Sequence, residues 1–180
     1  RSYSIVSSRE DGKLVSFGIK RQADFSKRIA ERPVGSPVLV QGPYGRFVLP
    51  DEDRPVVLVA GGIGITPFMP MIAHLSAHPR KNVPLLLYAV RTPALAAFVD
   101  TILKAPESAV SAKIFYSHEQ GSSPDPRITY VMLTPEVAAA AVADPKQALW
   151  YLCGPPPMVQ AFEQHLERIS VPLGNILFEE

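Results

Sequence analysis

The stretch Val56-Val57-Leu58-Val59-Ala60-Gly61-Gly62-Ile63-Gly64-Ile65-Thr66-Pro67 puts an apolar strand, a glycine-rich turn and the start of a helix in immediate succession. Beyond it Phe68, Met71, Ile72 and Leu75 fall at i, i+3, i+4 and i+7, which gives the helix one apolar face. Glycines let the backbone approach a pyrophosphate, and the free amides of a helix start point at it. Pro67 at the first helical position gives up only a donor that has no partner there. The third glycine of the usual dinucleotide fingerprint is replaced by Pro67, and the second strand ends in Arg91-Thr92 instead of an acid. A tight strand-to-helix turn without a ligand is the competing reading.

Downstream, apolar runs alternate with helical stretches. Val56–Ala60, Leu85–Val90, Lys113–Ser117 and Leu149–Cys153 read as strands, and helices begin near Thr66, Ala94, Pro135 and Pro156. In the last helix Val159, Phe162, Leu166 and Ile169 repeat the apolar spacing. This alternation predicts a doubly wound α/β domain whose parallel strands are covered on both faces, with a ligand crevice at their carboxyl ends. The turn after the last of these strands, Cys153-Gly154-Pro155-Pro156-Pro157-Met158, therefore lies at the same edge. Its prolines fix the backbone, and Gly154 leaves room beside Cys153. A buried structural thiol is the alternative for this cysteine.

Upstream of the connector Pro50–Pro55 the texture differs. Arg1–Val6, Lys13–Lys20 and Pro37–Gln41 read as short strands, separated by polar breaks at Ser7–Gly12 and Glu31–Ser36. Asp24–Ala30 reads as a helical turn capped by Ser26 or Asp24. Residues 1–52 and 53–180 are thus expected to form two units, the first all-β and the second α/β. On a twisted barrel strand, Arg1-Ser2-Tyr3-Ser4 can offer a charge to phosphate, a ring for stacking and a hydroxyl to a heteroatom. A generic amphipathic strand explains the same residues.

Composition removes several classes of function. The 180 residues carry 18 basic and 17 acidic side chains, a net charge of +1, which lacks the basic stripe of a nucleic-acid binder. The single cysteine excludes a disulfide framework, a four-cysteine zinc site and a four-cysteine iron–sulfur cluster within this chain. Pro55–Ala73 is long enough to cross a bilayer, but its three glycines and three prolines mark a buried strand and turn. No basic segment followed by an apolar one marks a signal peptide. His74 and His78 lie four apart but lack the third ligand of a zinc site, and read as solvated helix residues. His118-Glu119-Gln120-Gly121 reads as a polar turn at the carboxyl edge. Lys20, Arg21, Lys27, Arg28 and Arg32 form a basic cluster suited to a phosphate or an acidic partner.

In their order, Arg1-Ser2-Tyr3-Ser4, Gly42-Pro43-Tyr44-Gly45, the glycine turn through Pro67 and Cys153–Met158 resemble the ferredoxin–NADP reductase superfamily. The resemblance is nearest to oxygenase reductase components and to ferric-reductase or NADPH-oxidase type dehydrogenase modules. It implies the C-terminal portion of an antiparallel flavin-binding barrel over residues 1–52, with its earlier strands expected before Arg1, and an NAD(P)-binding domain over 53–180.

By that resemblance, Arg1 holds the flavin phosphate, Tyr3 packs on the isoalloxazine and Ser4 hydrogen-bonds flavin N5. Ile19 and Lys20 border the ribityl and phosphate, and Ser26 makes a second phosphate contact. The family often has a glycine before that hydroxyl; here Ala23-Asp24-Phe25 precedes it, and an inward Asp24 repels phosphate. Gly61, Gly62, Gly64 and Thr66 take the dinucleotide, with Arg91 at the adenosine ribose or its 2′-phosphate. Cys153, Gly154, Pro155 and Met158 border the nicotinamide, and Phe178 covers the flavin. The implied cofactors are FAD, in preference to FMN, and NAD(P)H, with NADH and NADPH both open.

The implied activity is hydride transfer from NAD(P)H to flavin N5, followed by single-electron delivery to an acceptor such as a ferredoxin, oxygenase or heme domain. The implied location is cytoplasmic, or the cytoplasmic face of a membrane reached through a segment outside this chain. A redox-inactive dinucleotide-binding regulatory or assembly module is the alternative.

Overall fold

The computed structural model describes residues 1–8, 12 and 14–179. Its centre is a six-stranded, wholly parallel sheet built from β1 (Val56–Gly61), β2 (Leu85–Val90), β3 (Ser111–Tyr116), β4 (Ile128–Thr129), β5 (Leu149–Cys153) and β6 (Ile176–Glu179). The order across the sheet is β4-β3-β2-β1-β5-β6. The chain thus moves outward from β1 in one direction, returns, and continues from β5 in the other. The β1–β5 junction is where strand order reverses, and a crevice opens beyond the carboxyl ends of such a pair.

All six β1 residues are buried, as strands covered on both faces require. The two-residue alternation divides them between two cores. Val56, Leu58 and Ala60 share one with Tyr151 and Cys153, under α2 (Phe68–Ala77) and α3 (Val99–Lys104). Val57 and Val59 share the other with Trp150 and Leu152, under α4 (Pro135–Ala140) and α5 (Pro156–Arg168). Phe68, Met71, Ile72 and Leu75 of α2 are all buried, as their spacing predicts. Val159, Phe162 and Leu166 of α5 are buried as well, while Ile169 caps that helix and packs at the edge of its core.

Several boundaries differ from expectation. The helix after β2 begins only at Val99, because a 3₁₀ turn at Pro93–Leu95 and a left-handed Phe98 (φ 62°) intervene. A 3₁₀ turn over Gly62–Ile65 likewise delays α2, so Pro67 is its N-cap and not its first residue. The third strand is displaced by two residues at its start, and β4 and β6 are additional.

The expected strands at Arg1–Val6, Lys13–Lys20 and Pro37–Gln41 do not form ladders among the described residues; Lys13 and Arg9–Asp11 lie outside them. Extended chain becomes strand only where it meets a partner, and one hairpin-like contact is too little. The contact that exists is an antiparallel bridge between Ile5 and Phe17, with the Val6 amide donating to the Ser16 carbonyl at 2.8 Å. The helix α1 (Asp24–Ala30) stands as predicted, but its N-cap is Ala23, not Ser26 or Asp24.

This first segment is held on the α2 side of the sheet. Phe47 lies edge-on to Tyr151, with ring centroids 5.1 Å apart, and tilts on Phe68 at 5.7 Å. The Tyr151 hydroxyl donates to the Val48 carbonyl at 2.7 Å. The Asp53 carboxylate accepts from the amides of Lys81 and Asn82, and Arg54 donates to the Gln147 carbonyl, so the connector is clamped to the α/β core. Val34, Leu39 and Tyr44 remain exposed. Among the described residues no helix is long and apolar enough to cross a membrane, and no three metal-ligating side chains cluster.

Candidate functional site

The turn after β1 and the turn after β5 meet backbone to backbone, and three glycines make the meeting possible. In β1–β5 register Ala60 faces Cys153, so the two turns leave the sheet side by side. A Cβ on Gly64 would collide with the carbonyl group of Cys153 and the amide of Gly154. A Cβ on Gly154 would sit 2.9 Å from the Gly61 Cα, and one on Gly61 would sit 2.7 Å from the Pro155 ring and 2.8 Å from the Met158 sulfur. Met158 and Pro155 therefore fill the space that these glycines leave. Gly62 serves differently: open space surrounds it, but its φ of 56° is the left-handed conformation that starts the 3₁₀ turn. The first amides of such a turn have no internal partner and point at whatever occupies the crevice, an arrangement suited to pyrophosphate.

Thr66 ties this turn to the first segment. Its hydroxyl donates to the Ile63 carbonyl at 2.9 Å, and its methyl presses so closely on Gly18 that a Cβ there would collide with it. Gly18 and Ser4 both adjoin the Ile5–Phe17 bridge. The segment that carries Ile19 and Lys20 thus touches the glycine turn at Thr66. Gly18 is absent from the motif-based set, although a glycine inside an extended run signals such a close approach.

Ser4 is half-buried, and its hydroxyl has no hydrogen-bond partner among the described residues, so it is free to meet a heteroatom. Tyr3 is half-buried and stacks on Phe25 at 6.3 Å. Arg1 and Lys20 are exposed, and Ile19 is half-buried. Ser26 differs from expectation. Its hydroxyl accepts from the amides of Gln22 and Ala23, both at 3.0 Å, and donates to the Ala23 carbonyl at 2.7 Å. With its hydrogen committed to the backbone, Ser26 secures the start of α1 and is not a free phosphate donor.

The β5–β6 register fixes the faces of the last two described side chains. Phe178 pairs with Leu152 and Glu179 with Cys153. Registered neighbours in a parallel sheet share a face, so Phe178 turns with Leu152 toward the α4–α5 side, away from residues 1–52. Phe178, expected as a flavin cover, thus lies on the opposite face from Cys153, and Glu179, outside the motif-based set, lies on the Cys153 face.

Burial pushes the Cys153 thiol from 9.0 up to about 12, with the Glu179 charge adding to the effect. The thiol is protonated at neutral pH and is a wall of the crevice, not a nucleophile. Burial also raises Tyr88 from 10.0 to about 12. Both folded-state values lie above the unfolded ones, so the folded chain keeps protons that the unfolded chain loses. The corresponding stability is complete below pH 9 and is lost as pH climbs toward 12. Denaturant unfolding between pH 8 and 11 is expected to show falling stability, with a shallower slope in Cys153→Ser. Identical slopes in the two proteins would contradict this burial.

Arg91, past the end of β2, is exposed, as are His118 and Glu119 past β3. His74 and His78 are exposed, with their rings stacked at 4.6 Å. The basic residues Lys20, Arg21, Lys27, Arg28 and Arg32 are all exposed on and around α1.

A doubly wound sheet with two glycine-locked turns at its switch point defines a dinucleotide-binding oxidoreductase domain. The chain belongs to the oxidoreductase NAD-binding domain family, whose model it matches over residues 58–164. It is 30% identical over 187 residues to the reductase component of propane 2-monooxygenase from Mycolicibacterium smegmatis, covering 99% of this chain and 53% of that protein. It is 31% identical over 200 residues to the electron transfer component of toluate 1,2-dioxygenase from Pseudomonas putida, covering 100% of this chain and 53% of that one. The ferredoxin reductase of carbazole 1,9a-dioxygenase superposes with a TM-score of 0.79 at 27% identity, over 99% of this chain and 54% of that structure. The chain thus spans about half the length of these relatives.

Proposed function

We propose that this chain is the dinucleotide-binding domain and adjoining flavin-edge segment of an FAD-dependent NAD(P)H reductase that passes electrons to an acceptor protein. Residues 1–52 would be the C-terminal portion of a flavin-binding barrel, and residues 53–180 the NAD(P)-binding domain. The observation that carries this reading is the contact of Gly18 with Thr66, which joins the bridged Ile5–Phe17 segment, with Ser4 beside it in the chain, to the glycine turn. The likeness to reductase components of oxygenase systems supports it.

The residues present fit a flavin edge: a half-buried aromatic ring at Tyr3, an unpartnered hydroxyl at Ser4 and a neutral wall at Cys153. A flavin held there supplies a two-electron acceptor that can release electrons singly. The chain's own residues do the positioning. The Gly62–Ile65 amides would receive pyrophosphate, and Met158 and Pro155, packed against Gly61, would border the nicotinamide. Cys153 contributes a neutral, water-excluding surface, and the Glu179 carboxylate favours the positive charge that nicotinamide gains on losing hydride. Ser4 holds a hydrogen bond at the accepting edge. The exposed basic residues around α1 suit an acidic acceptor protein.

The full-length protein is expected to purify with bound flavin and to reduce ferricyanide with NAD(P)H. Purification without flavin, together with no ferricyanide reduction after flavin is added, would favour a redox-inactive binding module.

A further inference from the structure

Phe47 enters the α/β domain as a wedge between the two elements that lead into and out of the glycine-locked turns. Its ring is edge-on to Tyr151 of β5 at 5.1 Å and tilted on Phe68 of α2 at 5.7 Å. Tyr151 stands two residues before Cys153 on the same strand face, and both lie in the core under α2. Phe68 stands two residues after Thr66, at the far end of the β1 turn. The strand that enters one turn and the helix that leaves the other thus share one aromatic partner from the first segment.

Polar contacts hold the wedge in place. Tyr151 is buried, and its hydroxyl donates to the Val48 carbonyl at 2.7 Å. Burial raises the pKa of that hydroxyl, with Arg80 and Arg54 opposing, so it remains a donor at neutral pH. Arg80, just past α2, donates in turn to the Pro50 carbonyl. Elsewhere in the segment Gly18 lies against the Thr66 methyl, and Thr66 is held by its own bond to the Ile63 carbonyl. The first segment is therefore pinned at two places, one on the strand that carries Cys153 and one on the β1 turn itself.

We infer that Phe47 and Tyr151 are positioning residues for hydride transfer, holding the flavin segment at the separation from the β1 and β5 turns that brings the two reacting rings together. The inference rests on the reductase reading above. In the step concerned, a hydride leaves nicotinamide C4 with its electron pair and forms the flavin N5–H bond, so the dinucleotide is oxidised and the flavin reduced. Neither side chain needs to touch a ligand; each acts through the strand or segment that carries it. Reacting atoms must approach to about 3–3.5 Å, and a misplacement of about 1 Å costs about a hundredfold, so the seam governs the rate of the step and not the affinity.

Tyr151→Phe keeps the ring and removes the bond to Val48. In the full-length flavoprotein, mixed anaerobically with whichever of NADH and NADPH the parent uses, it is expected to lower the limiting rate of flavin reduction about three- to tenfold, the scale of one neutral hydrogen bond. Phe47→Ala is expected to lower it at least about tenfold, and Phe47→Leu to recover part of the loss. The half-saturating dinucleotide concentration and the rate of reduction by dithionite, which needs no nicotinamide site, should hold in all three variants. A second readout needs no turnover: spin labels on Arg28→Cys and Gln160→Cys, both exposed, measure the separation of the first segment from α5, and the native Cys153 is buried. The distance distribution is expected to broaden in Tyr151→Phe and further in Phe47→Ala. Unchanged reduction rates, a loss in affinity in place of rate, or a slowed rate with an unmoved label distance would each overturn the positioning role. A parent flavoprotein that neither NADH nor NADPH reduces would overturn the reductase reading instead.

Discussion

Gly64→Ala is expected to abolish measurable dinucleotide binding. The added methyl would overlap the Cys153 carbonyl and approach the Gly154 amide to 2.7 Å, and neither is a side chain that can swing away. Relief requires the β5 turn to move off the β1 turn, which opens the crevice proposed to hold pyrophosphate and nicotinamide. Overpacking of this kind costs about 1–3 kcal/mol in folding stability. The loss in affinity is expected to be larger, because the misplacement falls on the ligand's own contacts. Gly35→Ala, outside both turns, is the control. Its methyl meets open space, but its left-handed φ of 88° costs an L-residue about 1–2 kcal/mol. Similar melting temperatures for the two variants, with binding lost chiefly in Gly64→Ala, would establish turn contact as the requirement. A Gly64→Ala protein that binds the dinucleotide as the parent does would refute it.

Ser4→Ala in the full-length, flavin-loaded protein is expected to slow flavin reduction by NAD(P)H roughly a hundredfold, the scale seen when one positioned donor is removed at a reacting atom. Ser4 is half-buried and its hydroxyl is unpartnered among the described residues, so the substitution breaks no internal hydrogen bond. Folding stability should therefore be nearly unchanged, and so should dinucleotide affinity, whose proposed contacts lie on the turns after β1 and β5. Rapid-mixing spectroscopy separates these quantities: the limiting reduction rate falls while the half-saturating NAD(P)H concentration holds. Ser4→Thr, which keeps the hydroxyl, is expected to recover part of the rate. An unchanged limiting rate in Ser4→Ala would remove Ser4 from the reaction.

The α/β half was legible because its signals are local. Apolar runs such as Val56–Ala60 and Leu149–Cys153 are buried on both faces and need no knowledge of their neighbours. The glycine turn and Cys153–Met158 were legible as separate motifs. Their contact was not, since it depends on β1 and β5 being adjacent, which the chain order does not reveal. The face of Phe178 was hidden for a related reason. An aromatic near the carboxyl end suggests a cover for the flavin, but pairing with Leu152 turns it away from the Cys153 face, on which Glu179 lies. β4 was missed because two residues carry no periodicity. In residues 1–52 the alternation reads as strand, yet alternation supplies only the propensity; the ladder must come from a partner, and only Ile5 and Phe17 find one among the described residues. Ser26 shows the same limit at the scale of one hydroxyl, which the α1 backbone claims before any phosphate can.

The central claim is that the two glycine-locked turns deliver the nicotinamide to a flavin bordered by Ser4. Anaerobic rapid mixing of the full-length flavoprotein with NAD(P)H, either unlabelled or deuterated at C4, tests it most directly. The expected result is bleaching of the oxidised flavin spectrum in a single turnover, slowed by the deuterium. A dinucleotide that binds while the flavin spectrum stays oxidised would contradict it.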